Sequence, residues 1–208
     1  MIVMSNPDYS FEASALYNGF NNPVGLDEVG RGPGAGPVVA AAVYIPPGEF
    51  SQFLGRVKDS KKLTELRRVD LAREIVKVCD VGIGTIDNNI IDEINILEAT
   101  KLAMLMALSE IKVKYDYAFI DGTVKLNNLQ CEQQQVIRGD SKVLSIAAAS
   151  IVAKVARDHY MYELDKLFPL YRWASNKGYL TKDHRDAIIT YGPCEYHRKS
   201  FKGVKEYI

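Results

Sequence analysis

The chain has no C-x-x-C pair, no apolar run long enough to cross a bilayer and no excess of either charge sign, and each absence removes a class of function. Its three cysteines, Cys79, Cys131 and Cys194, are odd in number and far apart, so neither a disulfide framework nor a zinc site is supported and reduced thiols are expected. With no membrane span and no N-terminal basic segment leading into an apolar core, the expectation is a cytoplasmic protein with no membrane partner. A formal net charge of zero over 208 residues argues against a generic basic nucleic-acid binder. The remaining composition, 47% hydrophobic and 25% charged, suffices to bury a full core as one domain, with a monomer as the default.

The neutral total hides an uneven distribution. Residues 56 to 77 hold eight bases against four acids, and residues 172 to 208 again hold eight against four, whereas residues 80 to 110 carry six acids and only Lys101. Solvated helix faces explain such segments equally well, but two basic stretches are also compatible with gripping a polyanion on one face.

Hydrophobic periodicity places strands at about 24 to 30, 37 to 45, 81 to 86, 117 to 122 and 134 to 138, and helices over 64 to 76, about 91 to 112, and after Ser141. The second helix is expected to turn Ile94, Leu97, Leu102, Leu105, Leu108 and Ile111 inward, with Met104 and Met106 as core filler. The third carries Leu144, Ala147, Ala148, Ile151, Val155 and Tyr162 on one side. Residues 1 to 22 are polar and aperiodic and read as an extension; residues 23 to 168 form the main body, and 169 to 208 an aromatic, basic tail. The order β-β-α-β-α-β-β-α is an α/β fold with a mixed sheet, and its first two strands are joined by a turn too short for a crossover, hence antiparallel.

Four acids fall at strand ends or on the turn beyond one: Asp27 and Glu28 on the first strand, Asp121 on the fourth, and Asp140 after the fifth. Each has an ordinary explanation taken singly, as a solvated turn or a helix cap. On neighbouring strands they would converge, and carboxylates without His or Cys select Mg²⁺ or Mn²⁺ over zinc. Two such ions can clamp a phosphodiester. Asp27 and Glu28 run into Gly30-Arg31-Gly32-Pro33-Gly34-Ala35-Gly36-Pro37. Gly30, Gly32 and Ala35 fit a dinucleotide-loop spacing, but Pro33, Pro37 and the apolar run 38 to 45 leave no room for the crossover helix which that loop opens.

Taken together, Gly25-Leu26-Asp27-Glu28-Val29-Gly30-Arg31-Gly32-Pro33, Asp59-Ser60-Lys61-Lys62-Leu63, Asp121-Gly122, Gly139-Asp140-Ser141-Lys142 with the helix through Arg157-Asp158, and Asn176-Lys177-Gly178-Tyr179-Leu180-Thr181 with His184 resemble the ribonuclease HII family over nearly the whole chain. The resemblance implies a ribonuclease H-like fold: a mixed five-stranded sheet, flanking helices and a small helical C-terminal region. It implies hydrolysis of the RNA strand of RNA-DNA hybrids and incision of duplex DNA on the 5′ side of embedded ribonucleotides, leaving 3′-hydroxyl and 5′-phosphate ends. Asp27, Glu28, Asp121 and Asp140 become the metal-binding catalytic set for Mg²⁺ or Mn²⁺, with two ions expected.

Gly30, Arg31 and Gly32 look like the family's ribonucleotide sensor, and Tyr179 like the tyrosine packed on the next sugar. Lys61, Lys62 and Lys142 are the phosphate contacts this implies, with Ser141, Thr181 and His184 as weaker substrate-binding candidates. Asp158 is read as a helix-surface or salt-bridged acid outside the catalytic set. Two positions depart from the family pattern: Gly34, where a larger apolar residue is common, and Val143, where a small polar one is. A sliding clamp is left open as a partner, since no clear clamp-binding motif stands near Tyr207-Ile208.

Overall fold

The computed structural model describes residues 7–49, 56–57, 64–127 and 129–208. Helix α1 (Ser10–Tyr17) leads into strands β1 (Pro23–Val29) and β2 (Val38–Tyr44), then α2 (Glu65–Val78), β3 (Asp80–Ile86), α3 (Asn88–Ser109), β4 (Tyr117–Asp121) and β5 (Glu132–Val136). A short 3₁₀ turn, Gly139–Ser141, delivers the chain into the long α4 (Leu144–Leu167), followed by α5 (Trp173–Asn176) and α6 (Lys182–Tyr191). No helix among the described residues is long and apolar enough to cross a membrane.

The strands form one sheet in the order β3-β2-β1-β4-β5. β1 pairs antiparallel with β2, and β2 with β3, whereas β1–β4 and β4–β5 are parallel. The three parallel strands therefore all end at the same edge. β2 is buried on both faces, and its Ala40-Ala41-Ala42 run lets helices approach from either side. On one face α3 packs Ala103, Met104 and Ala107 against Leu26, Ala40 and Ile120; on the other α2 and α4 pack Leu71, Ile75, Ala148 and Val152 against Ala41 and Val43.

Helix α3 departs from the expected stripe. Asn95 has φ 70° and ψ 163°, a conformation few non-glycine residues adopt, and its Oδ1 accepts from the amides of Leu97 and Glu98 to start a second helical run. The break resets the phase, so Leu97 and Leu102 are about two-fifths exposed (41% and 38%) and Met106 also faces out, while Ala99, Ala103, Met104 and Ala107 are buried. On α4, Tyr162 is likewise exposed rather than inward.

The polar segment before β1 is anchored. Phe11 meets Phe119 edge-on, Phe20 packs on Tyr117, and the backbone of Asp8 pairs with that of Lys142 and Leu144. Glu12 is buried, and its Oε1 accepts from both the amide (2.7 Å) and the hydroxyl (2.6 Å) of Ser145, so a residue of α1 caps α4 from outside. Removing that acceptor in Glu12→Ala leaves a buried helix-terminal amide unpaired and is expected to cost about 1–3 kcal/mol in denaturant unfolding. Glu12→Gln keeps an acceptor and should lose less; equal stability of Glu12→Ala and wild type would contradict the cap.

Candidate active site

Because β1 and β4 run parallel with Leu26 opposite Ile120, the next residue on each, Asp27 and Asp121, stand side by side at the sheet edge. Asp27 is 6% exposed; its Oδ1 accepts the Glu28 amide at 2.7 Å, and the Ser150 hydroxyl of α4 also bonds its carboxylate. Asp121 is held by the Gly139 amide at 2.6 Å, which ties the end of β4 to the 3₁₀ turn carrying Asp140. Glu28 takes Arg31 Nη1 on Oε1 at 3.2 Å, while its buried Oε2 has no hydrogen-bond partner among the described residues.

Burial pushes the carboxyls of Asp27, Glu28 and Asp121 above their ordinary range, Asp27 well above. Crowding adds to this: Asp27 lies in the field of Asp121 and Glu28, Glu28 in that of Asp121, and Asp121 in that of Asp140, whereas Arg31 eases Glu28 alone. The four acids thus form one anionic patch. Among the described residues no three Asp, Glu, His or Cys side chains close on a single point as a finished cage. The donor set nevertheless fits a hard divalent cation: all the donors are carboxylate oxygens, and the buried Oε2 of Glu28 has no hydrogen-bond partner among the described residues. Terminal carboxylate torsions are broad, so turning these oxygens inward is cheap.

The glycine-rich turn passes directly from Glu28. Gly30 has φ +95°, and a Cβ there would lie 2.2 Å from Arg157 Nε, so both conformation and space demand glycine. Arg31 and Gly32 are exposed, and a Cβ on Gly32 would meet the Tyr179 ring at 3.5 Å, which places Tyr179, itself 49% exposed, over the turn. At Gly34 the space of a side chain is taken by Leu180, whose Cδ2 would be 2.8 Å from a Cβ, and Val143 is buried beside Phe119 and Ile146. Both departures from the family pattern are therefore absorbed by packing.

Other predicted contacts are placed less simply. Lys142 is half-buried after Asp140; the Ser141 hydroxyl donates to the Arg138 carbonyl, and the Thr181 hydroxyl caps α6. Lys61 and Lys62 lie outside the described residues. Asp158 is salt-bridged to Lys154 at 2.6 Å, though largely buried rather than on the surface. An apolar groove lined by Ala72, Val76, Ile83, Val152 and Tyr162 contains none of the four acids.

His184 is fully buried and presents nothing to a substrate. Trp173 Nε1–H donates to His184 Nε2 at 3.1 Å, so that nitrogen is an acceptor and the proton sits on Nδ1, where it is donated to the Tyr179 carbonyl at 2.9 Å. His197 must then donate Nε2–H to the same His184 nitrogen at 3.0 Å, leaving its Nδ1 to accept the Cys194 amide at 2.9 Å. With both rings neutral, the Trp173 and His197 N–H groups share the single lone pair of His184 Nε2. His184 accordingly positions Tyr179 from behind, because its backbone neighbours and the tail aromatics close around it.

Burial lowers both histidines, His197 to about 4 with His184 as its second cause. The unfolded chain therefore binds protons that the folded chain refuses, and this contribution to stability is lost as pH falls from about 6.5 towards 4, on the order of 3 kcal/mol at most for His197. Thermal melts of wild type and His197→Asn across that window should converge as the pH drops. A constant gap would contradict the neutral pair.

Sequence patterning overlooked two residues of the site. Arg157 and Arg198 are both fully buried beneath the glycine-rich turn. Arg157 had a signal: one helical turn either side stand Ala153 and Met161, both buried, so its phase lies in the apolar stripe. Arg198 had none, sitting among the bases of the tail.

Comparisons with known proteins point to one family and one fold. The family model described as Ribonuclease HII matches residues 24–204. Ribonuclease HII of Cereibacter sphaeroides is 50% identical over 198 residues, covering 95% of this chain and 92% of the relative. Among solved structures, ribonuclease H2 from Pyrococcus horikoshii superposes with a TM-score of 0.77 at 22% identity, over 90% of this chain and 97% of that one. The ribonuclease HII of a PCNA complex from Archaeoglobus fulgidus gives 0.74 at 28% identity, over 88% and 96%.

Proposed function

This chain belongs to the ribonuclease HII family and is a ribonuclease H with the ribonuclease H-like fold, and from that premise we propose a metal-dependent endonuclease acting on RNA-DNA hybrids and on duplex DNA at embedded ribonucleotides. The observation that carries it is the placement of Asp27, Glu28, Asp121 and the turn bearing Asp140 at one edge of the sheet, beside the exposed Arg31 and Gly32. Asp27, Glu28, Asp121 and Asp140 would hold Mg²⁺ or Mn²⁺, two ions in the full reading. Such ions, when bound, supply activation of water and neutralisation of charge at the phosphate.

The chain's own residues do the recognising. The 2′-hydroxyl is the one group that marks RNA at a single position, and Arg31 and Gly32, next to the buried Gly30, are exposed where their backbone can meet that group. Tyr179 offers a ring face for the following sugar. Lys142, with Lys61 and Lys62, would supply positive charge for the phosphates; water attacking the phosphorus 5′ of the ribonucleotide and breaking its P–O3′ bond leaves 3′-hydroxyl and 5′-phosphate ends. In this reading residues 23–168 are the catalytic unit, 169–208 the substrate-binding region and 1–22 an extension, in a cytoplasmic monomer. A sliding clamp is a partner to test, since the archaeal relative was solved with PCNA.

A labelled duplex carrying one ribonucleotide, incubated with and without Mg²⁺ or Mn²⁺ beside an RNA-DNA hybrid and an all-DNA control, tests the reading. Metal-dependent incision of the first two alone is expected. Binding without incision would indicate a silent binding module, and cutting of all three a general DNA nuclease.

A further inference from the structure

Arg157 and Arg198 approach the glycine-rich turn from opposite parts of the chain, one from α4 and one from the tail. Among the described residues, each guanidinium directs its hydrogen bonds to main-chain carbonyls. Arg157 donates Nε–H to Pro37 at 2.9 Å, Nη1–H to Lys177 at 2.9 Å and Nη2–H to Ala35 at 3.2 Å. Arg198 donates Nε–H to Gly36 at 2.9 Å, Nη1–H to Arg31 at 3.1 Å and Nη2–H to Gly30 at 2.6 Å, with its guanidinium over the Phe201 ring at 4.9 Å. Five carbonyls of the turn are thus pulled inward by two buried forks.

A planar trans peptide points its N–H opposite to its C=O. The carbonyl of Gly30 shares a peptide plane with the amide of Arg31, and that of Arg31 with the amide of Gly32. When Arg198 draws both carbonyls in, the two consecutive amides face out. Neither donates to a main-chain carbonyl among the described residues, and both residues are exposed. Adjacent outward amides form a concavity for an electron-rich oxygen.

We infer that Arg198, with Arg157 bracing the other limb of the same turn, is a positioning residue that aims the Arg31 and Gly32 amides at a sugar hydroxyl or phosphate oxygen of the substrate, so that discrimination between ribose and deoxyribose depends on side chains that do not touch the substrate. This rests on the ribonucleotide-recognition reading above. Lysine keeps the charge but cannot span three carbonyls with a rigid fork.

The test uses the full chain with Arg198→Lys and Arg157→Lys, binding a duplex with one ribonucleotide and its all-DNA counterpart in chelator, so that no cleavage intervenes. The wild-type preference for the ribonucleotide duplex should fall about tenfold or more in Arg198→Lys, the loss of a charge-assisted pair of bonds, while all-DNA binding stays within about twofold. Amide exchange gives a second readout. Gly34 and Gly36, whose amides bond the Gly178 and Tyr196 carbonyls, should lose protection while core amides of β2 keep theirs. A retained preference in both lysine variants would overturn the inference, as would unfolding of both, since the arginines would then hold the whole fold rather than the turn. Absence of any preference in the wild type would count against the recognition reading, and the exchange of Gly34 and Gly36 would still report whether the forks hold the turn.

Discussion

Asp121→Asn lowers incision of the single-ribonucleotide duplex by about a thousandfold or more while duplex binding stays within about threefold. The asymmetry follows from where Asp121 sits. It is the hub of the anionic patch, felt by Asp27 and Glu28 and itself pressed by Asp140, and under the proposed function it contributes negative charge for a cation rather than a contact for the anionic substrate. Asparagine retains the shape and an acceptor for the Gly139 amide, so the link between β4 and the 3₁₀ turn survives.

Stability should move the other way. Asp121 has a raised carboxyl, so the folded state holds its proton to higher pH than the unfolded chain does, and the stability present below the ordinary carboxylate range is lost as pH climbs through the folded value. In chelator at neutral pH the variant is therefore expected to melt above wild type, and added Mn²⁺ should raise its melting temperature less. Retention of more than a tenth of wild-type incision, or a variant that melts lower in chelator, would remove Asp121 from its role. An acidic patch that weakens its own fold while serving the proposed chemistry would be the usual trade between activity and stability.

Gly25→Ala is expected to lose about 3 kcal/mol or more and to be recovered largely unfolded. A Cβ at Gly25 would lie 2.3 Å from the Ser145 carbonyl carbon and 2.4 Å from the Ile146 amide nitrogen, main-chain atoms of the first turn of α4. Neither side can give way easily: β1 is hydrogen-bonded between β2 and β4, and the same turn of α4 is capped by Glu12. The close approach matters to the site because Asp27, two residues along, reaches Ser150 on that helix. Gly32→Ala, whose Cβ would make ordinary contact with Tyr179, provides the stability control. Indistinguishable unfolding curves for the two variants would show that the strand and helix are not locked at Gly25.

Strands β1 to β4 and the helices between them were legible from their apolar runs and periods, and the acids because each falls where such a pattern stops; β5, Glu132–Val136, has one apolar residue, and the strand expected at about 134 to 138 overlaps it only in part. The phase of α3 was not. Asn95 breaks the helix by its own side chain taking over the next amides, a local competition that leaves the apolar count of the segment unchanged. Helix α1 was invisible for a related reason: it is held by Phe11, Glu12 and Phe20 against partners about a hundred residues away, with no stripe of its own.

Local pattern and residue type thus determined the order of elements from β1 to α4, the antiparallel start of the sheet and the chemistry of the carboxylates, since those depend on neighbours along the chain. Only the tertiary structure decided which polar residues face the substrate and which face inward. His184 reads as a tail histidine and Arg198 as one more surface base until the fold buries both, and a buried donor must find an acceptor wherever the packed chain supplies one. Those acceptors are main-chain carbonyls of the glycine-rich turn and of Tyr179, contributed from across the molecule, and linear order carries no trace of that encounter.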